Sequence, residues 1–75
     1  MINNEDSKLI EEGYNYIKAK KFEKALSAFN IVLQHDPCIE RAFFGKIESL
    51  IELYKYDEAE KELQNALAKQ LNNIE

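Results

Sequence analysis

The sequence predicts an all-α chain of four helices, and three observations carry that expectation. Apolar residues recur at helical spacing through almost the whole chain. Only two Gly and one Pro interrupt them in 75 residues. The phrase F-E-K-A-L-S-A-F-N-I-V-L, from Phe22 to Leu33, returns 34 residues later as Y-D-E-A-E-K-E-L-Q-N-A-L, from Tyr56 to Leu67. Each copy runs aromatic, acid, charge, Ala, then apolar residues spaced for one helix face.

The first helix is expected from about Asp6 to Ala19, with Asp6 or Ser7 accepting from free N–H groups at its start. Its apolar residues are Leu9, Ile10, Tyr14, Tyr16 and Ile17, with Gly13 among them. The second spans roughly Glu23 to His35. It is apolar over much of its circumference, as a helix contacted from more than one side should be. Asp36-Pro37 stops it, because Pro cannot continue the hydrogen-bond ladder and biases its predecessor away from helix. A third helix is expected from Glu40 to about Leu53, and a fourth from Asp57 to about Leu71. The short links imply that sequential helices pack antiparallel. In the fourth helix Glu60 and Asn65 replace the second helix's Leu26 and Ile31. Its apolar stripe narrows to Ala59, Leu63, Ala66, Leu67 and Leu71, leaving the polar outer face expected of a closing unit.

Composition narrows the function. With one cysteine, Cys38, an internal disulfide is excluded, and a single histidine, His35, leaves no metal-ligand cluster. No cofactor is expected. A net charge of −4 argues against nucleic acid, whose phosphates need Lys and Arg. The polar, acidic start M-I-N-N-E-D-S-K does not read as a signal peptide, and no apolar run approaches membrane-spanning length, so a cytoplasmic location is expected. No Ser-His-Asp, Cys-His, phosphate-loop or paired-carboxylate arrangement can be drawn, so the chain is not expected to be an enzyme.

A 34-residue period with two helices per period is the signature of the tetratricopeptide repeat (TPR), and the chain resembles that family from about Asp6 to Asn73. Gly13, Tyr16, Ala25, Phe29 and Pro37 match the family's small, aromatic, Ala, aromatic and Pro slots, with Leu9 where Trp often stands. In the second copy Phe43, Leu50, Ala59 and Leu63 fill the Trp, Tyr, Ala and aromatic slots. Ile47 departs from the usual small residue, which puts tight packing of the third helix on the fourth in question, and Leu71 replaces Pro. The resemblance divides the chain into a polar tail over 1–5, one repeat over 6–39 and a second over 40–73. It implies a four-helix segment of an α-α superhelix made of two helix-turn-helix repeats.

The resemblance also implies a binding scaffold without catalysis, whose first helices line a concave groove for a peptide or helix. Here those positions are Ser7, Ile10, Tyr14, Ile17 and Lys18 from the first helix. The third helix contributes Arg41, Phe44, Glu48, Ile51 and Glu52. Angular spacing agrees: the apolar arc of the first helix covers about 160°, more than packing on one side requires. The surplus either is buried between the first and third helices or forms an exposed interaction surface. The chaperone-tail clamp of some family members falls on Ile10, Tyr14 and Gly45, which cannot hold a carboxylate through their side chains. The expected partner is therefore an apolar peptide or helix, or a second copy of the chain forming a homodimer. A regulatory fragment of a longer TPR protein fits less well with the polar outer face of the fourth helix.

Other residues carry smaller expectations. Lys18, Lys20, Lys21 and His35 should complement helix C-terminal ends in water. Cys38 reads as a passive thiol. Ala25, Ala59 and Gly13 should admit close helix neighbours, with Leu9, Tyr16, Phe22, Phe29, Leu50, Tyr56 and Leu63 filling the space between. Gly45 would permit a close backbone approach, and Tyr54 and Tyr56 should pack at the last turn.

Overall fold

The structure, a computed structural model, describes residues 3–73, with side chains through residue 68. It is all-α, with helices α1 (Asn4–Lys18), α2 (Phe22–His35), α3 (Glu40–Glu52) and α4 (Tyr56–Asn73). Each helix packs on the next and α1 also reaches α3, as in a segment of a helical repeat. The expected boundaries shift by a few residues at most.

At the start of α1 the cap is Asn3, whose Oδ1 accepts from the Asp6 N–H at 2.7 Å. Asp6 and Ser7, expected as caps, therefore lie inside the helix. Asp6 is buried and lies 2.9 Å, Oδ1 to Nδ1, from His35 at the end of α2. His35 thus ties two helices together instead of only facing water.

Both hairpins turn in the same way. Lys20 and Tyr54, 34 residues apart, have φ of 63° and 62°. The Lys20 N–H donates to Ile17 O at 2.9 Å, and the Lys21 N–H to Tyr16 O at 2.8 Å. Tyr54 donates to Ile51 O at 3.0 Å, and Lys55 to Leu50 O at 2.8 Å. This is the Schellman arrangement, in which a left-handed residue lets two N–H groups satisfy the last free carbonyls. Glycine is the usual occupant, so Lys and Tyr sit there at a local cost of about 1 kcal/mol. Between the hairpins, the Asp36 side chain accepts from the Cys38 N–H at 3.0 Å, shaping the turn around Pro37.

The core gathers around Phe29, which is fully buried with Ile10, Ala25, Val32, Ile39 and Ala42. Its ring lies against two glycines on different helices. A Cβ on Gly13 would meet Phe29 Cζ at 2.5 Å, and one on Gly45 would overlap the same ring atoms. The close approach at Gly45 is thus made by an aromatic ring and not by backbone. A smaller cluster joins Ile47, Leu50 and Ala59, flanked by Leu26 and Phe43. Ile47, which put packing of the fourth helix in question, is buried there, and α3–α4 is the sparsest of the sequential pairings.

Three residues expected as filling are exposed: Leu63, Tyr54 and Tyr56. The two tyrosines pack edge-on against each other, with ring centroids 6.2 Å apart. Leu71 lies outside the described side chains.

Two stability measurements check this account. Lys20→Gly should raise stability by about 0.5–1 kcal/mol in urea denaturation, because it relieves the left-handed strain. Gly45→Ala should lower it by about 1–3 kcal/mol, even though Ala favours a helix by about 1 kcal/mol over Gly. Phe29→Leu should recover part of that loss, being the residue that the second copy carries at Leu63.

Candidate functional site

The face expected to form the groove divides into three parts. Ile10 is buried in the core, so it is withdrawn from the candidate surface. The angular argument counted it as surplus, but α3 lies close enough to cover it. Tyr14 and Ile17 are half-buried and pack against the same core. Ser7, Lys18, Arg41, Phe44, Glu48, Ile51 and Glu52 are exposed.

Tyr14 connects α1 with α3. Its hydroxyl donates to Arg41 O at 2.8 Å, and the Arg41 guanidinium carbon lies 5.4 Å from its ring centroid. On its inner side the ring meets Phe29 edge-on at 5.1 Å and 70°. Burial raises the Tyr14 pKa above the usual 10.0; nearby Arg41 opposes the rise and Glu48 adds to it. Tyr14 thus closes one end of the face and has little free edge to offer a ligand. The apolar atoms left in solvent belong to Phe44, 59% exposed, and Ile51, 43% exposed. Seven residues apart, they share one side of α3.

A second apolar surface opens between α3 and α4. This cleft, of about 640 Å³, is lined by Phe43 and Phe44 on one wall and Leu63, Ala66 and Leu67 on the other, with Leu33 and Ile39 at one end. Leu63 is 41% exposed and Leu67 is 58% exposed. A Lys46–Glu62 ion pair at 3.4 Å bridges the two helices at its edge. Spacing alone put Leu63 and Leu67 on a packed stripe. The signal that could have exposed them is the repeat register: Ile47 stands where the first copy has Gly13. A side chain there limits how closely α4 can approach α3, and Leu63 is smaller than the Phe29 that fills the first hairpin.

Among the described residues, no three His, Cys, Asp or Glu side chains gather as metal ligands, and no helix is long and apolar enough to cross a membrane. Buried Ser49, which spacing did not single out, donates through Oγ to Gly45 O at 2.9 Å within α3. Comparison with known protein families, with curated proteins and with solved structures returns no match.

Tyr14→Phe removes only the hydroxyl and tests the α1–α3 tie. It should cost about 1 kcal/mol at pH 7, the usual net worth of one hydrogen bond. Because the folded pKa is raised, the native state favours the neutral phenol. That contribution is complete below pH 10 and is lost as pH rises through the folded value. The stability difference between wild type and Tyr14→Phe should therefore shrink in alkaline denaturation curves.

Proposed function

We propose that the chain is a non-catalytic protein-interaction module of the tetratricopeptide type, binding an apolar peptide or helix on the face shared by α1 and α3. The observation that carries this reading is the pair Phe44 and Ile51, large apolar side chains left in solvent on one side of α3. Ile17 on α1 and the exposed Lys18, Arg41, Glu48 and Glu52 complete an apolar stripe with a charged rim. That layout suits protein recognition, in which buried apolar anchors supply most of the energy and rim charges set orientation. The net charge of −4 gives no support to a nucleic-acid ligand.

Selection of helical peptides from a displayed library against the purified chain, with light scattering of the chain alone, tests the reading. Selected peptides should carry apolar anchors at helical spacing. They should lose about 30-fold or more in affinity for Ile51→Glu, the worth of one hot-spot residue. A charge reversal on the outer face of α4, Glu60→Lys, should leave affinity unchanged. Both variants should keep the wild-type circular dichroism spectrum, because each site is exposed. Equal binding to Ile51→Glu and wild type would place recognition away from this face. Concentration-dependent dimerisation abolished by Ile51→Glu would make a second copy the ligand.

A further inference from the structure

The two hairpins share one register, so each position of the second can be compared with its counterpart 34 residues earlier. The cleft residues Phe43, Phe44, Leu63, Ala66 and Leu67 stand opposite Leu9, Ile10, Phe29, Val32 and Leu33. In the first hairpin that surface is covered. Ile10, Phe29 and Val32 are buried in the core, and the helix over them is α3, which supplies Ile39, Ala42 and Gly45. In the second hairpin the corresponding surface lies open, with Phe44, Leu63 and Leu67 41–59% exposed. The cleft therefore continues the internal α2–α3 interface one register further along the molecule. We infer that it is a second docking surface, and that its occupant is an amphipathic helix of another protein resembling the buried face of α3.

The chemistry of the occupant follows from the helix already seated in the first hairpin. α3 presents Ala42, Gly45 and Ser49, all buried, at i, i+3 and i+7, with Ile39 one turn before them. Small residues at this spacing let a helix lie close to the large side chain opposite. In the second hairpin that large side chain is Leu63 and not Phe29, so glycine is no longer required and Ala fits the middle position. The cleft edge carries Glu40 and Glu62 against one cation, Lys46, which Glu62 already holds at 3.4 Å. An incoming helix with Lys or Arg beside its apolar stripe complements that edge.

A second copy of the chain fits less well. Stacked head to tail, it would bring the α1 counterparts of Ile39, Ala42, Gly45 and Ser49 into the cleft. These are Glu5, Lys8, Glu11 and Asn15, all polar and exposed. Stacked face to face, it would oppose Glu40 and Glu62 with the same acids. Both arrangements bury charge without a partner, which is costly.

The face proposed above and this cleft can fail independently. The probe is a fluorescein-labelled peptide with the sequence of residues 39–53, carrying Gly45→Ala to favour a helix. A second peptide adds Glu48→Lys and Glu52→Lys. Anisotropy titrations with the whole chain should show saturable binding, tighter for the second peptide at low salt. Leu67→Glu in the chain should weaken binding roughly 30-fold, the loss expected at a hot spot, while Ile51→Glu should leave it within about twofold, the scatter expected for a residue outside the contact. Circular dichroism melts of both variants confirm that they remain folded. Three results would overturn the inference: neither peptide binds; binding is lost in Ile51→Glu but kept in Leu67→Glu; or no peptide binds while the chain dimerises through a contact that Leu67→Glu removes. The second leaves the α1–α3 reading standing, and the third makes a second copy the occupant.

Discussion

The contact on which the molecule depends is the ring of Phe29 against two helices that offer it no side chain. Gly13 on α1 and Gly45 on α3 leave room for the same three ring atoms, Cζ, Cε1 and Cε2. Both glycines weaken their helices, because Gly loses more backbone entropy on folding than any other residue. Both are retained where their absence of a Cβ brings α1, α2 and α3 together around one aromatic side chain. The ring cannot move from one glycine without pressing into its neighbours, since it is fully enclosed. A buried phenyl of this kind contributes roughly 1.5–3 kcal/mol by burial alone. In a chain of 75 residues, whose core is necessarily small, that is a large share of a marginal total.

Polar contacts then fix how the three helices sit. Asp6 with His35 ties the start of α1 to the end of α2, and the Tyr14 hydroxyl ties α1 to the Arg41 carbonyl of α3. Neither is a large term, since hydrogen bonds exchange with water for a net gain near 1 kcal/mol. Their value is directional. Apolar packing alone tolerates sliding, whereas a hydroxyl on a named carbonyl sets a register. Tyr14 also shows how one side chain can leave a binding surface: its ring is taken by Phe29 and Arg41, and the apolar stripe is left to Phe44 and Ile51.

Much of this architecture is legible in the sequence because it is periodic. The four helices follow from apolar spacing and from punctuation at Lys20–Lys21, Asp36–Pro37 and Tyr54–Lys55. The smallness of Ala25 and Ala59 follows from the repeat, and both are buried. What spacing could not decide was which of two adjoining faces a neighbour would cover. Ile10 and Phe44 occupy the same place in their copies, yet the first is buried and the second is 59% exposed. The difference lies in three dimensions, because α3 covers the first hairpin and the second has only its own two helices. The αL residues were equally hidden: neither Lys20 nor Tyr54 is of a type that signals a left-handed turn, and packing of the hairpin imposes it. The Asp6–His35 pair joins residues 29 apart, beyond the reach of any local pattern.

The position of α4 has a consequence for how the protein comes apart. Among the described residues its only packing partner is α3, whereas α2 lies between two helices. Backbone amides exchange with solvent through partial openings whose free energy depends on the buried contacts broken. Releasing α4 exposes the Ile47–Leu50–Ala59 cluster but leaves Phe29 and its glycines in place. The chain is therefore graded along its length, with the amides of α2 most protected and those of α4 least. A helix seated against Leu63 and Leu67 would give α4 a second neighbour and reduce that gradient, so occupancy at one end of the molecule would be read as slowed exchange in a helix that does no chemistry.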